Sequence, residues 1–85
     1  MPEVTFGAVL ERVATLVPLP AVAPTPDTAL RDIVRESFAL VEVVVDIQEE
    51  WDIFFTQDDM SAVTTLGDLT ALVNRSLMDR QGSAP

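Results

Sequence analysis

The chain is 85 residues long, which suits one domain with a single hydrophobic core. It contains neither Cys nor His, so disulfides, thiolate or imidazole metal sites, and Ser-His-Asp or Cys-His catalysis are excluded within it. A formal charge of −9 opposes nucleic acid and anionic membrane surfaces as partners and favours a basic protein surface.

The N-terminus, Met1-Pro2-Glu3-Val4, has no basic segment ahead of an apolar one, unlike a signal peptide. No apolar run approaches the ~20 residues that span a bilayer. The expectation is a soluble, cytoplasmic, freestanding monomer.

Helical periodicity begins at about Glu3 and runs to Val17, with Phe6, Val9, Leu10, Val13, Leu16 and Val17 on one side and Glu11 and Arg12 facing away. Thr5 or Pro2 starts this helix, and Pro18 and Pro20 end it. A proline-rich connection follows from Pro18 to Pro26 and continues to about Glu36. It is longer than most loops in compact domains, and long loops are often functional. Leu30 and Ile33, three apart, suit one helical turn pinned to the core.

The second main helix is expected over 37–51. Leu40, Val44, Ile47 and Trp51 form an apolar row, with Phe38, Val41 and Val45 beside it. Val43-Val44-Val45 alone can be read as a strand, since β-branched residues favour sheets. The longer spacing and the polar Glu42, Asp46, Gln48, Glu49 and Glu50 favour helix. Thr56 and Asp59 have capping-box spacing ahead of a short helix that turns Met60 and Val63 inward. Thr65 and Asp68 repeat the pattern and open a last helix through Leu69, Leu72, Val73 and Leu77, with Arg75 near its end complementing the dipole. Gly67 at that helix start suggests close packing. Trp51, Phe54 and Phe55 read as core or loop anchors. Residues 1–79 form the domain and 80–85 a flexible tail.

Ser37 lies at the expected N-terminus of the second helix, where free backbone N–H groups and the helix dipole favour an anion. A helix-capping serine fits the same place, and position does not distinguish the two. The second helix carries Glu36, Glu42, Asp46, Glu49, Glu50 and Asp52 without an intervening basic residue, as a solvated face or as a docking face. Val41 fits the core or an apolar contact beside Ser37, and so does Phe38. Asp58-Asp59 lacks the Gly and distal Glu of a calcium loop, and no metal site is expected. Nothing sets two carboxylates in a dry cleft with separated pKa values, so an enzyme is the least favoured class.

The stretch from Asp27 to Glu42, with Ile33 at an apolar position and Ser37 ahead of Val41-Glu42, resembles the signature of the acyl carrier protein family. Ile47-Gln48-Glu49-Glu50-Trp51-Asp52-Ile53 resembles that family's acidic helix end, and Thr64-Thr65-Leu66-Gly67-Asp68-Leu69 the start of its last helix. The resemblance spans about Val4 to Leu77 and rests on the order and spacing of these segments. It implies an all-α four-helix bundle of three longer helices and one short one with a long first loop. Three positions depart from the family pattern: Val34 stands for glycine, Glu36 for aspartate and Phe38 for leucine or isoleucine. Val34 implies a backbone that does without positive φ or tolerates it at a cost.

The resemblance further implies a non-catalytic carrier. A phosphopantetheinyl transferase would move 4'-phosphopantetheine from coenzyme A onto Ser37, and acyl groups would be held on the arm as thioesters and sheltered between helices. Glu36, Glu42, Asp46 and Glu49 would meet basic docking patches on the transferase and on acyltransferase, ketosynthase or adenylating and ligase enzymes, Phe38 and Val41 would add an apolar contact next to Ser37, and Arg35 would touch the arm's phosphate or a partner's acidic residue. Fatty acid or polyketide synthesis is implied, with the departures around Ser37 favouring specialised metabolism. An aminoacyl or peptidyl carrier of the same fold, and an acidic helical adaptor without a prosthetic group, are the alternatives.

Overall fold

In the computed structural model, which describes residues 3–82, the elements in chain order are α1 (Phe6–Leu16), α2 (Leu30–Ile33), α3 (Ser37–Trp51), α4 (Gln57–Ser61) and α5 (Leu66–Gly82). The three long helices and the short α4 match the expected all-α bundle, and α2 is the single turn that the Leu30/Ile33 spacing called for. No strand occurs among the described residues; Ala29 and Thr65 make one isolated antiparallel bridge.

Three helices start on a threonine. Thr5 Oγ1 accepts from the Ala8 amide at 3.1 Å, Thr56 Oγ1 from Asp59 at 3.0 Å and Thr65 Oγ1 from Asp68 at 3.0 Å. In the last two cases the aspartate reaches back to the threonine amide, closing a reciprocal capping box. The alternative start at Pro2 lies outside the described residues. At the other end of α1, Val17 is extended and its amide still bonds to Val13 before the prolines take over.

The core is built from Val9 and Val13 of α1, Val43 and Ile47 of α3, and Leu66, Leu69, Leu72 and Val73 of α5, closed by Leu30 of α2 and by Val34, Ile53 and Phe55 from the connections. Helix α1 packs against both α3 and α5. Two expectations need correcting. Arg12 does not face away: it is half-buried and spans to α3, donating from Nε to Asp46 Oδ2 at 2.9 Å and from Nη2 to Asp46 Oδ1 at 2.7 Å, with Glu50 3.6 Å from Nη1. Arg75 does not sit in a last turn, because α5 runs on to Gly82; it lies 3.7 Å from Asp59 of α4 instead. The same extension carries helix three residues into the segment expected as a tail; residues 83–85 lie outside the described residues.

The long connection is tied down by backbone hydrogen bonds to the start of α5. The Leu30 amide donates to Thr64 O and the Leu66 amide to Thr28 O, both at 2.9 Å, and the Gly67 amide to Pro26 O at 2.8 Å. A side chain at Gly67 would put its Cβ 2.9 Å from that Pro26 oxygen, which explains glycine at this helix start. At the N-terminus, Asn74 of α5 accepts from the Val4 amide and donates to the Val4 carbonyl.

Candidate functional site

The segment before Ser37 is shaped by α2. The Val34 amide returns to Leu30 O at 2.8 Å and the Val34 side chain is buried, so the chain leaves α2 pinned to the core. Val34 has φ −115° and Glu36 φ −93°, both ordinary for side-chain-bearing residues. Glycine is therefore not required at position 34, as the sequence implied.

Glu36 is the N-cap of α3 and makes no side-chain cap hydrogen bond. Its carbonyl accepts from the Leu40 amide at 3.0 Å. Ser37 is thus the first helical residue and not the cap. It is exposed, and among the described residues no hydrogen bond engages its hydroxyl. The amides of Ser37, Phe38 and Ala39 lie ahead of the first intrahelical bond, and no side chain claims them, unlike the amides at the threonine-capped helices. These donors sit at the positive end of a 15-residue helix. The capping alternative for Ser37 is therefore not the one adopted. A phosphodiester on Ser37 Oγ fits this place: its negative charge meets uncapped N–H groups, and Arg35, exposed and without a carboxylate in ion-pairing range among the described residues, stands beside it.

Phe38 is 75% exposed and Val41 60%, so both leave the core for the surface next to Ser37. Glu42 and Glu49, seven apart on one helix face, are exposed and unpaired among the described residues. Asp46, between them, is held by Arg12 and turned towards α1. The acidic row along α3 is therefore broken: Glu36, Glu42 and Glu49 are open to a partner, while Asp46 and Glu50 answer to α1.

Two hollows flank α3, where the resemblance implied shelter between helices without saying which residues wall it. A groove of about 380 Å³ between α3 and α4 is walled by Val41, Val44, Val45 and Phe55. A cavity of about 360 Å³ between α2, α3 and α4 is lined by Arg31, Val34, Ser61 and Thr64 among others. Leu40 and Met60 line both and divide them. The wall provided by Phe55 depends on the turn after α3. Asp52 takes a left-handed conformation with φ 54°, and Gln48 accepts from the Ile53 amide with its carbonyl and from the Phe55 amide with Oε1 at 2.7 Å. Phe55 is buried by this turn, Trp51 half-buried, and Phe54, expected as an anchor, is 78% exposed.

Hydrogen bonds from the Thr56 amide and hydroxyl hold the Asp59 carboxyl below its ordinary range, and those from the Thr65 and Thr64 amides do the same for Asp68. Asp59 is thus committed to capping α4. Among the described residues no helix is long and apolar enough to cross a membrane.

The family model described as "Phosphopantetheine attachment site" matches residues 7–73. A curated protein of Caulobacter vibrioides, described as a probable acyl carrier protein, is 34% identical over 44 residues, covering 52% of this chain and 51% of that protein, so the match spans about half of each. The solution NMR structure of a holo acyl carrier protein from Geobacter metallireducens superimposes with a TM-score of 0.79 over 95% of this chain and 94% of that one, at 20% identity.

Proposed function

From the fact that this chain belongs to the phosphopantetheine attachment family, we propose that it is an acyl carrier protein, which tethers acyl intermediates on an arm at Ser37 and presents them to biosynthetic enzymes. The observation that carries the assignment to Ser37 is its free, exposed hydroxyl on the first residue of α3, whose leading amides no side chain caps. Once bound, the arm supplies a terminal thiol that holds acyl groups as thioesters. Ser37 provides the oxygen esterified to the arm's phosphate. The uncapped amides of the first turn and Arg35 offset the phosphate's charge.

The chain itself performs no bond-making on the acyl group. Glu36, Glu42 and Glu49 guide a basic partner surface to α3, and Phe38 and Val41 supply the apolar contact beside the tether. The partners are a phosphopantetheinyl transferase and then acyltransferase, ketosynthase or ligase enzymes. Coenzyme A as the donor argues for a cytoplasmic carrier. Val34, Glu36 and Phe38, which depart from the family pattern next to Ser37, favour a polyketide or other specialised pathway over housekeeping fatty acid synthesis.

The test is a pair of mass spectra taken after incubation with a promiscuous phosphopantetheinyl transferase and coenzyme A. One added arm is expected on the native chain and none on Ser37→Ala. An unchanged mass with the native chain, or a gain that survives Ser37→Ala, removes the assignment.

A further inference from the structure

The two hollows beside α3 differ in chemistry. The α3–α4 groove is walled by aliphatic and aromatic side chains, with Thr56 and Gln57 at its rim. The cavity on the α2 side adds a cation, Arg31, and the hydroxyl residues Ser61 and Thr64 to an apolar floor of Val34, Leu40 and Met60. The Ser61 hydroxyl donates to Gln57 O at 2.9 Å and keeps its oxygen free to accept, and no hydrogen bond among the described residues uses the Thr64 hydroxyl. Arg12 and Arg75 are committed to carboxylates of neighbouring helices, whereas Arg31 has none in ion-pairing range among the described residues. In a chain of charge −9, a carboxylate is held only where a local cation outweighs the overall field. The cavity also adjoins the tether. Val34 precedes Ser37 by three residues and Leu40 follows it by three, and both line it. Its volume of about 360 Å³ falls within the range of small-molecule pockets.

We propose that this cavity receives short acyl groups ending in a carboxylate, with Arg31 pairing the distal carboxylate and so selecting carboxyacyl over plain alkyl cargo. The inference rests on the attachment at Ser37. The full chain and its Arg31→Gln variant are loaded by a promiscuous transferase from glutaryl-coenzyme A and from pentanoyl-coenzyme A, whose cargoes differ at the distal end in a carboxylate against a methyl group. Loading is read by mass, cargo position by amide chemical shifts, and shelter of the thioester by its cleavage with hydroxylamine. The glutaryl form is expected to shift the amides of 30–34 and 60–64 and to be cleaved about three-fold more slowly than the pentanoyl form, the scale of an exposed ion pair. Arg31→Gln is expected to erase that difference. Equal behaviour of the two cargoes, or a difference that survives Arg31→Gln, overturns the proposal while leaving the carrier reading intact. So does an equal response to Arg31→Gln in protein bearing the arm without cargo, which assigns Arg31 to the arm's phosphate. A native chain that gains no mass overturns both.

Discussion

Arg12 grips Asp46 in parallel fashion across the α1–α3 interface, its Nε on one carboxylate oxygen and its Nη2 on the other. Hydrogen bonding to Asp46 raises the Arg12 pKa above its ordinary value, so the guanidinium stays charged. Both side chains keep contact with solvent, which tempers the attraction. Arg12→Ala and Asp46→Ala are each expected to lower the melting temperature. A double-mutant cycle should show favourable coupling that shrinks as salt is raised towards about 1 M, where screening acts over about 3 Å. Additive effects of the two substitutions would mean that the bridge contributes nothing to stability.

The acids released by that arrangement make a separate prediction. Reversal of Glu42 and Glu49 to lysine should slow arm transfer at low salt several-fold, with native and variant rates converging at high salt. Helicity by circular dichroism should be unchanged. Asp46→Asn should cost stability more than transfer rate, because its carboxylate already faces Arg12. Equal transfer rates for the doubly reversed variant at low salt would remove α3 as the docking face.

Glycines 7 and 67 should respond to alanine with opposite signs. At Gly67 the added carbon lies 2.9 Å from Pro26 O and 3.1 Å from Pro26 Cβ, and backbone cannot step aside cheaply. A loss of about 1–3 kcal/mol is expected, as for overpacked sites. At Gly7, in the first turn of α1, the nearest such atom is Thr5 Oγ1 at 3.9 Å. Alanine there should gain roughly 0.5–1 kcal/mol through helix propensity. Urea unfolding of both variants reads the two signs in one experiment.

Acid should loosen the fold through the two capping aspartates. Asp59 and Asp68 have lowered pKa values, held down by hydrogen bonds from Thr56 and from Thr65 and Thr64. The unfolded chain therefore binds more protons than the folded one between the lowered values and the ordinary carboxylate value of about 3.9. Their contribution is complete above that ordinary value and is lost as pH falls through the folded values. Asp59→Asn and Asp68→Asn should each lower the melting temperature at pH 7 and flatten its decline below about pH 4. An acid limb as steep in the double variant as in the native chain would exclude these caps as its source.

Local chemistry made much of this legible in the sequence. The bounds of α3 and the two threonine–aspartate caps follow from neighbouring residues, and a glycine at a helix start signalled close packing without naming Pro26 as the partner. What escaped depended on partners distant in the chain. Arg12 and Asp46 are 34 residues apart, and the acidic run along α3 gave no sign that one of its members was already matched. In the run Val43-Val44-Val45 periodicity did not say that Val43 is the fully buried member. Phe54 and Phe55 were separated only by the left-handed turn at Asp52 and the Gln48 side chain that fixes it. Around Ser37 the sequence indicated the helix start but not the absence of a cap. Nor did it indicate the cavity holding Arg31, because that exists only where α2 and α4 come to rest beside α3.

The three backbone hydrogen bonds joining residues 26–30 to residues 64–67 bear on when the chain can be modified during its synthesis. The stretch that delivers Ser37 to its helix holds only short local turns of its own, and its place in the fold is fastened by a segment made more than thirty residues later. A nascent chain still lacking that segment offers the transferase a serine without its mould. Loading should therefore await emergence of residues 64–67 from the ribosome.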